Sequence, residues 1–600
     1  MSLIAELKRR KVFKVGAAYL VVAWLAVQAM SIGFPAFDAP PWALRIFILI
    51  SLLGFPIAVV MAWVFDVTPE GVKFDADASD SKRLFAVSGL LIVLAVGWYF
   101  YGQPSFRRGD AATPTAAAPR KSIAVLAFLD YSPKHDQEYF SDGMSEEILN
   151  ALAQVKDLKV AGRTSSFFYK GRNEDLRTIG KALGVANILE GSVRKQGDKV
   201  RITAQLIQVS DDAHLWSHDY DGDLSDVFQL QDNIARAITD QLKVVLVGEQ
   251  KTRLVQVGTT NTEAYNLFLK ATAPYNQRDY KGMGEAIGWL EQAIQLDPNF
   301  AAAHARLAMI HVLGWAKYGA SKSEAARQAQ LALALDPKLA ETQYALSFLA
   351  RQQRRFMDAR RAMDRALELA PNDAATNFYD AQLLINTGYT RQGIARLDRA
   401  LAIDPMLPNA LHWRAEQYLF AGDTDTAERL WKRAGEVGLS YADVGLSQVA
   451  KARGDYAKAR ALDLPRMLVN PDYTACLKAP KASIAIYLEG AFGGDAAAGA
   501  KAQAVIDECL AAKPDKVPLW ALLGLLHFGQ NERALQVILQ GPSSDDAGLF
   551  IYLWSPQDRD ARRLPAFAQF ARKVGFADLW DKYGAPDLCK KNSAGDYVCE

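Results

Sequence analysis

Four cysteines are the residues of this 600-residue chain whose spacing best suits covalent chemistry, and all of them follow residue 470. Cys589 and Cys599 flank a short polar loop, so we predict a disulfide between them. Cys476 and Cys509 form a second candidate pair that would join two helices. The alternatives are unrelated core cysteines in either pair, or a zinc site, which the absence of a CxxC motif and of a neighbouring histidine disfavours.

Two histidines four residues apart, His214 and His218, would suit a metal on a helix, but here they flank Trp216 in a segment predicted to be extended. We therefore expect ordinary residues of a sheet edge there. The sequence also lacks the phosphate-binding GxxxxGKS/T loop, the zinc-binding HExxH motif and the GxSxG nucleophile turn. We expect a non-enzymatic protein without a cofactor or bound metal; an unrecognised catalytic site is the alternative.

The composition is that of a globular chain, with 50% hydrophobic and 23% charged residues. This balance excludes a disordered, collagen-like or disulfide-dense chain, and the length suggests roughly four domains. The 69 basic and 67 acidic residues leave a net charge of only +2. Because no large positive field results, we do not expect nucleic acid as a partner.

Three long apolar runs occupy residues 15–34, 46–65 and 84–101. A helix rises about 1.5 Å per residue, so each run is long enough to cross a hydrocarbon core about 30 Å thick. Aromatic residues near the ends of the runs are typical of a membrane interface. We therefore predict three transmembrane helices within residues 1–101, with the lipid bilayer as a partner. Helices buried in a soluble core are the alternative.

Basic residues determine the predicted orientation of this anchor. Five of them precede the first apolar run: Lys8, Arg9, Arg10, Lys11 and Lys14. The positive-inside rule then places the N-terminus in the cytoplasm and the large region after residue 102 in the periplasm, which makes the chain a multi-pass inner-membrane protein. Arg45, Arg107 and Arg108 argue against this orientation, because they would lie on the outer side. The periplasm is oxidising, which agrees with the predicted disulfides.

A linker and a small α/β domain follow the apolar runs. Residues 102–120 are rich in Ala, Pro, Thr and Gly and lack periodicity, as linkers do. Over residues 121–247, short β-branched runs alternate with amphipathic helical patterns. The clearest helical pattern, residues 175–183, begins at a capping aspartate and ends before Gly184. This alternation predicts a mixed α/β fold.

Residues 121–245 resemble a known domain family. The runs SIAVLAF, EYFSDGMSEEILNAL and LGVANILEGSVRKQGDKVRITAQLI are similar to the TolB-like (FlgO-like) α/β domain. The opening RRKVFKVGAAYLVVAWLAVQ and the phrase AWVFDVTPEGVK also look like membrane-anchored members of that family. The resemblance implies a signalling or envelope protein with no catalytic residues in this domain. Relatives carry a tetratricopeptide array, a cyclase domain or a winged-helix domain, but we find no cyclase domain between the α/β unit and the repeats.

Prolines end helical patterns at regular intervals in the middle of the chain. Pro298, Pro337, Pro371 and Pro405 lie 39, 34 and 34 residues apart. A 34-residue period is that of the tetratricopeptide (TPR) helix–turn–helix unit. Small residues recur seven apart in the second helix of each predicted unit, where they allow neighbouring helices to approach closely. Residues 261–465 therefore resemble an all-α TPR solenoid.

In the tetratricopeptide family, the first helix of each unit lines a concave surface on which extended peptides dock, as the resemblance implies. A protein or peptide partner on that surface is therefore expected. Counting on from the prolines places the following residues there: Tyr344, Phe348, Arg351, Phe378, Gln382, His412 and Glu416. This aromatic and polar mixture suits a peptide groove, and ordinary packed or solvated residues are the alternative.

Beyond residue 465 the periodicity fades, and residues 466–600 are predicted to be degenerate helical repeats followed by a Cys-containing tail. The predicted fold is multidomain: three N-terminal transmembrane helices, a small α/β TolB-like domain and an all-α TPR solenoid. The predicted function is a membrane-anchored, periplasm-facing scaffold or sensor that binds protein partners. The alternative is a regulatory module of a cyclic-nucleotide (adenylate cyclase-like) or transcriptional pathway, with its large domains in the cytoplasm.

Overall fold

The fold is described from a computed structural model of the chain. The described residues are 19, 21–28, 30, 47, 51, 54–55, 65–68, 71–74, 119–155, 157–244, 246, 254, 258–277, 280–313, 320–512, 517–540 and 549–600. Contacts divide the chain into two compact units, Met1–Ala117 and Ala118–Glu600. The linker predicted over residues 102–120 lies almost wholly outside the described residues.

The first unit corrects the predicted membrane anchor. Strands β1 (Phe65–Thr68) and β2 (Gly71–Phe74) pair antiparallel, so the second apolar run ends in a hairpin whose Phe, Val and Thr residues favour extended backbone. None of the helices that the structure describes is long and apolar enough to cross a bilayer. The predicted three transmembrane helices, the multi-pass inner-membrane location and the bilayer partner are therefore wrong by this finding, although most of residues 15–34, 46–65 and 84–101 lie outside the described part.

The second unit begins with a mixed β-sheet, which confirms the small α/β region. Its strands are β3 (Ser122–Val125), β4 (Leu129–Asp130), β5 (Lys159–Val160), β6 (Asn187–Gln196), β7 (Lys199–Gln208) and β8 (Ala213–Asp223). Their order is β5-β3-β6-β7-β8, and β4 also pairs with β6. β3 is parallel to β5 and β6, whereas β6, β7 and β8 form antiparallel neighbours.

Helices cover the faces of this sheet. Within residues 119–244 they are α1 (Glu138–Ala153), α2 (Arg163–Phe167), α3 (Leu176–Leu183) and α4 (Val227–Gln241). Helix α3 begins where the Asp175 side chain accepts a hydrogen bond from the Thr178 backbone N–H at 2.9 Å, and it ends at Gly184 in the left-handed conformation. On β7, Val200, Ile202, Ala204 and Leu206 are buried and the residues between them are more exposed, so this part of the strand has one covered and one wet face.

Six helix pairs follow in the described part of residues 262–469, which confirms the predicted repeat array. They are α5 (Thr262–Gln277) with α6 (Tyr280–Leu296), α7 (Ala301–Leu313) with α8 (Lys322–Leu335), α9 (Ala340–Gln352) with α10 (Phe356–Leu369), α11 (Ala374–Asn386) with α12 (Thr390–Ile403), α13 (Pro408–Phe420) with α14 (Thr424–Glu436), and α15 (Ala442–Ala452) with α16 (Tyr456–Val469). Ala359 and Ala366 of α10 are fully buried where neighbouring helices meet. Gly393 takes the equivalent place on α12, where a Cβ would collide with Ile385.

The remaining chain is helical up to a short terminal hairpin. Its elements are α17 (Pro471–Thr474), α18 (Pro480–Ala491), α19 (Ala496–Ala512), α20 (Leu519–His527), α21 (Asn531–Gln540), α22 (Leu549–Leu553), α23 (Arg559–Arg563), α24 (Pro565–Val574), α25 (Phe576–Tyr583), β9 (Cys589–Lys591) and β10 (Tyr597–Cys599). Helices α20 and α21 are separate, because Gly529 between them adopts a φ of +71°.

Candidate functional site

The candidate site is the side of the array on which the first helices of successive pairs lie, here called the first-helix face and formed by α9, α11 and α13. Helices α7, α9 and α11 pack in succession, as do α13 and α15. The 34-residue period places equivalent positions of each unit side by side along this face. The face therefore collects side chains from units that are distant in sequence.

Aromatic side chains form its middle. The ring of Tyr379 lies 4.9 Å from that of Tyr344 and 5.2 Å from that of Phe348, measured between centroids. Phe378 meets Trp413 edge to face at 6.4 Å. All five rings are buried. Sequence reasoning named Tyr344, Phe348 and Phe378 but missed Tyr379 and Trp413, each of which adjoins a residue that it did name.

Arg351 and Gln382 bring unpaired polar groups to the same face. The Arg351 side chain is buried, with its guanidinium carbon 4.3 Å from the centroid of the Phe348 ring. Burial lowers the pKa of Arg351 to about 10. Among the described residues, neither the Arg351 Nε nor the Gln382 Oε1 has a hydrogen-bond partner. A buried cation without a counter-charge is costly, so this position would gain from an acidic ligand.

His412 and Glu416 are bound by the chain itself. The His412 Nδ1 accepts a hydrogen bond from the Trp431 Nε1 at 2.8 Å, and burial lowers the pKa of His412 to about 4, so its ring is neutral at pH 7. Burial raises the pKa of Glu416 to about 7, against the opposing effect of a hydrogen bond from Tyr552 of α22. These two predicted groove residues therefore already have partners within the protein.

The α/β unit docks onto the array through Asp404, at the end of α12. The buried Asp404 carboxylate accepts hydrogen bonds from the backbone N–H groups of Thr164 at 3.0 Å and Ser165 at 2.8 Å, and from the Ser165 hydroxyl. These donors belong to the first turn of α2, whose N-terminus favours a negative charge.

A second contact joins helix α1 of the α/β unit to helices α7 and α9. Arg306 of α7 forms an ion pair with Glu341 of α9 at 2.7 Å, and Arg163 pairs with Glu146 of α1 at the same distance. Burial raises the pKa of Glu147 to about 8, with Glu146 and Glu341 adding to the rise and Arg306 opposing it. The carboxylates of Glu147, in the α/β unit, and of Glu341, in the array, thus both lie near Arg306.

The C-terminal helices dock onto the turn between α11 and α12. The Trp554 Nε1 donates to the Asn386 carbonyl at 3.1 Å, and the Trp580 Nε1 donates to the Thr387 carbonyl at 2.9 Å. Gly388, which directly follows these two residues, has a φ of +90°, and a Cβ there would lie 2.9 Å from the Trp554 ring. The glycine is therefore needed both for its conformation and for this close contact.

The four cysteines are joined as Cys476–Cys509 and Cys589–Cys599. The first pair connects the segment after α17 with α19, and the second closes the terminal hairpin. We predict that peptide mass spectrometry of the unreduced protein recovers both linked pairs. A sample reduced before digestion is the control. Alkylation of these thiols without prior reduction would contradict the pairing.

The two histidines of β8 lie on the sheet edge. His218 packs between Trp216 and Tyr220, with ring centroids 6.3 Å and 4.7 Å away. Within the described residues, no group of three or more His, Cys, Asp or Glu side chains is placed to hold a metal ion. His218 therefore contacts the rings of Trp216 and Tyr220 on the edge strand of the sheet.

Comparison with known proteins gives a partial sequence relative. No protein-family model matches the chain, so the likeness of residues 121–245 to the TolB-like domain stays a prediction. The chain is 40% identical over 201 residues to a protein named putative adenylate cyclase 3 from Rhizobium meliloti (strain 1021). The match covers 33% of this chain and 34% of that protein. The chain thus spans about a third of the length of the curated relative that it matches.

Solved structures with similar helix pairs are more distant. PilW, a widely conserved type IV pilus biogenesis factor, is 21% identical, with a TM-score of 0.28, over 38% of this chain and 99% of its own. YrrB, a TPR protein with an unusual peptide-binding site, is 17% identical, with a TM-score of 0.21, over 32% of this chain and 91% of its own. Such likenesses carry no argument about function, which must come from the site.

Proposed function

We propose that this protein is a non-enzymatic scaffold that binds a protein partner on its first-helix face. The observation that supports this proposal is Arg351, whose buried guanidinium lies against the Phe348 ring and whose Nε lacks a hydrogen-bond partner among the described residues. An acidic side chain of a partner would supply the missing charge, and a peptide N–H could reach the Gln382 Oε1. The surrounding rings are buried in the unbound protein and would give apolar contact area once the face opens.

The partner would compete with contacts that the chain makes with itself. Tyr552 lies on Glu416 at the α13 side of the face, and Glu147 of helix α1 lies near Arg306 of α7, which pairs with Glu341 of α9. Arg306 attracts the carboxylate of Glu147 at this end of the face, whereas Glu341 repels it. Partner binding would therefore require the α/β unit or the C-terminal helices to open, and the scaffold would be closed in its unbound form.

Replacing Arg351 by methionine separates binding from folding. Arg351→Met keeps an unbranched side chain against Phe348 and removes the unpaired charge, so we expect the folded protein to be no less stable than the wild type. We expect recovery of the partner to fall about tenfold, because a charge-assisted contact is lost. Crosslinking of intact cells, followed by affinity purification and mass spectrometry, measures that recovery.

The matched control is Arg365→Met on α10. Arg365 is exposed and pairs with Glu368 on its own helix, at 2.8 Å. Its replacement should leave the crosslinked proteins unchanged. If Arg351→Met recovers the same proteins in the same amounts as the wild type, the first-helix face is not the binding surface.

A second candidate is a regulatory module of a cyclic-nucleotide pathway. The observation that favours it is the 40% identity over 201 residues to a protein named as a putative adenylate cyclase. The match covers only a third of that protein, so it supports a module that the two proteins share. We do not propose cyclase activity for this chain. The crosslinking experiment distinguishes the two candidates, since a regulatory module should recover a nucleotide cyclase or its regulator.

A further inference from the structure

A cleft of about 300 Å³ lies where the α/β unit meets the array. Its lining includes Phe168, which follows α2, together with Met406 and the residues Arg429, Arg433 and Glu436 of α14. The cleft adjoins the Asp404 contact, because the Met406 backbone N–H donates to the Ser165 hydroxyl at 2.8 Å. A ligand in this cleft would touch both parts of the second unit at once.

Two arginines of this cleft lack strong acceptors, whereas Lys432, which also lines it, pairs with Glu428 at 2.8 Å. The half-buried Arg433 directs its Nε and one Nη at the Met406 sulfur, at 3.4 and 3.3 Å. A thioether is a weak acceptor. Arg429 donates to the Thr426 hydroxyl at 2.9 Å. Among the described residues, no carboxylate forms an ion pair with Arg429 or Arg433, so two guanidinium groups remain available to an anion.

Phe168 lines the cleft from the α/β unit, and the Arg172 guanidinium lies against its ring. The guanidinium carbon of Arg172 lies 3.7 Å from the centroid of the Phe168 ring, and the Tyr169 ring meets Phe168 edge to face at 5.3 Å. Burial and the nearby Glu174 raise the pKa of Tyr169, while Arg433 and Arg172 oppose the rise. Arg433 and Arg172 therefore both lie near the Tyr169 phenol.

We propose that this cleft binds a phosphate ester that carries a planar ring, the chemical class of the nucleotides. The phosphate accepts hydrogen bonds from Arg429 and Arg433, since the guanidinium fork matches phosphate oxygens. The ring packs against Phe168, which gives contact area without specifying a base. The volume is at the lower end of that of small-molecule sites, which suits a mononucleotide. The exposed Glu436 carboxylate on the lining opposes the phosphate.

This inference goes beyond the proposed scaffold function, because the cleft lies apart from Arg351 and from the first-helix aromatic rings. A nucleotide held between Phe168 and α14 would strengthen the junction that Asp404 forms. Its binding can be measured on the purified full chain without any protein partner. Failure of partner capture and failure of nucleotide binding are therefore separate results.

The test is isothermal titration of the full chain with AMP, GMP, CMP and UMP, and with inorganic phosphate and adenosine as the two halves of the ligand. We expect at least one mononucleotide to bind about tenfold more tightly than either half. Arg433→Ala should weaken that binding about tenfold, whereas Glu436→Gln should strengthen it. Arg365→Ala, which removes an exposed arginine of α10, should leave it unchanged.

Three results would overturn the proposal. They are no binding of any mononucleotide at millimolar concentration, binding that Arg433→Ala and Glu436→Gln both leave unaltered, and binding of adenosine or inorganic phosphate as tight as that of the best nucleotide. Because Glu436→Gln predicts a gain of affinity, a loss caused by misfolding of Arg433→Ala cannot imitate the full pattern.

Discussion

Asp404→Ala should loosen the contact between helix α2 and the helical array and lower the free energy of unfolding by about 4 kcal/mol. The substitution leaves the half-buried backbone N–H of Thr164, the buried backbone N–H of Ser165 and the Ser165 hydroxyl without their acceptor. It also removes the negative charge from the N-terminus of α2. Urea unfolding measures the loss, and hydrogen exchange of residues 162–170 should rise strongly under native conditions.

Asp336→Ala is the matched control, because both aspartates precede a proline after a second helix. Asp336 caps its own turn, accepting from the Lys338 backbone N–H at 2.8 Å. Its loss should cost about 1 kcal/mol, as the loss of a local cap does, and should leave exchange of residues 162–170 unchanged. Equal destabilisation by the two variants would show that Asp404 acts through its turn and that the contact with α2 contributes nothing.

Glu416→Gln should stabilise the protein at pH 8 by about 3 kcal/mol and remove part of its pH dependence. Burial raises the pKa of Glu416 from 4.5 to about 7. The folded protein therefore binds a proton that the unfolded chain has released, and stability falls as the pH rises from about 4.5 to about 7. Above pH 7 the whole cost of the buried charge is present, and glutamine avoids it while still accepting from Tyr552.

Urea unfolding at pH 5 and pH 8 measures this change in stability. The free energy of unfolding of the wild type should fall between pH 5 and pH 8, and that of the Glu416→Gln variant should fall by about 3 kcal/mol less. Glu489→Gln, at an exposed position of α18, should behave as the wild type. A variant that is destabilised at pH 8 would show that Glu416 is ionised and useful in the folded protein, contrary to the effect of its burial.

Patterns that act over one or two helical turns could be predicted from the sequence. Asp175 and Gly184 delimit α3 in the structure as they do in the sequence, because a cap and a left-handed stop depend only on neighbouring backbone groups. The prolines likewise mark the ends of the second helices. The small residues between them predicted close helix packing, and Ala359 and Ala366 are fully buried.

Long apolar runs were less informative. The spans at residues 46–65 and 84–101 were inferred from length and hydropathy, which measure the preference of side chains for an apolar environment and leave open which structure provides it. The hairpin that begins at Phe65 shows that one run continues directly into paired strands. Hydropathy alone therefore misassigned this part of the chain, and with it the location and the bilayer partner.

The first-helix face shows what periodicity could and could not determine. The spacing brought Tyr344 and Phe378 to one side of the array, as predicted, because equivalent positions of successive units lie side by side. It could not show that Glu416 meets Tyr552, because that contact joins helices of unrelated sequence pattern. The repeat period predicts neighbours within the array and carries no information about segments outside it.

The sequence by itself determined the kinds of element, their order and the period of the array, since these follow from local backbone preferences and from side-chain spacing. Only the tertiary structure decided how those elements close on each other. Asp404 and Asp336 both precede a proline at the end of a second helix, yet Asp404 binds the Ser165 backbone N–H, 239 residues away, whereas Asp336 caps its own turn. Burial against a distant segment depends on the whole packed arrangement, because each such contact removes water from two surfaces that the local pattern describes separately.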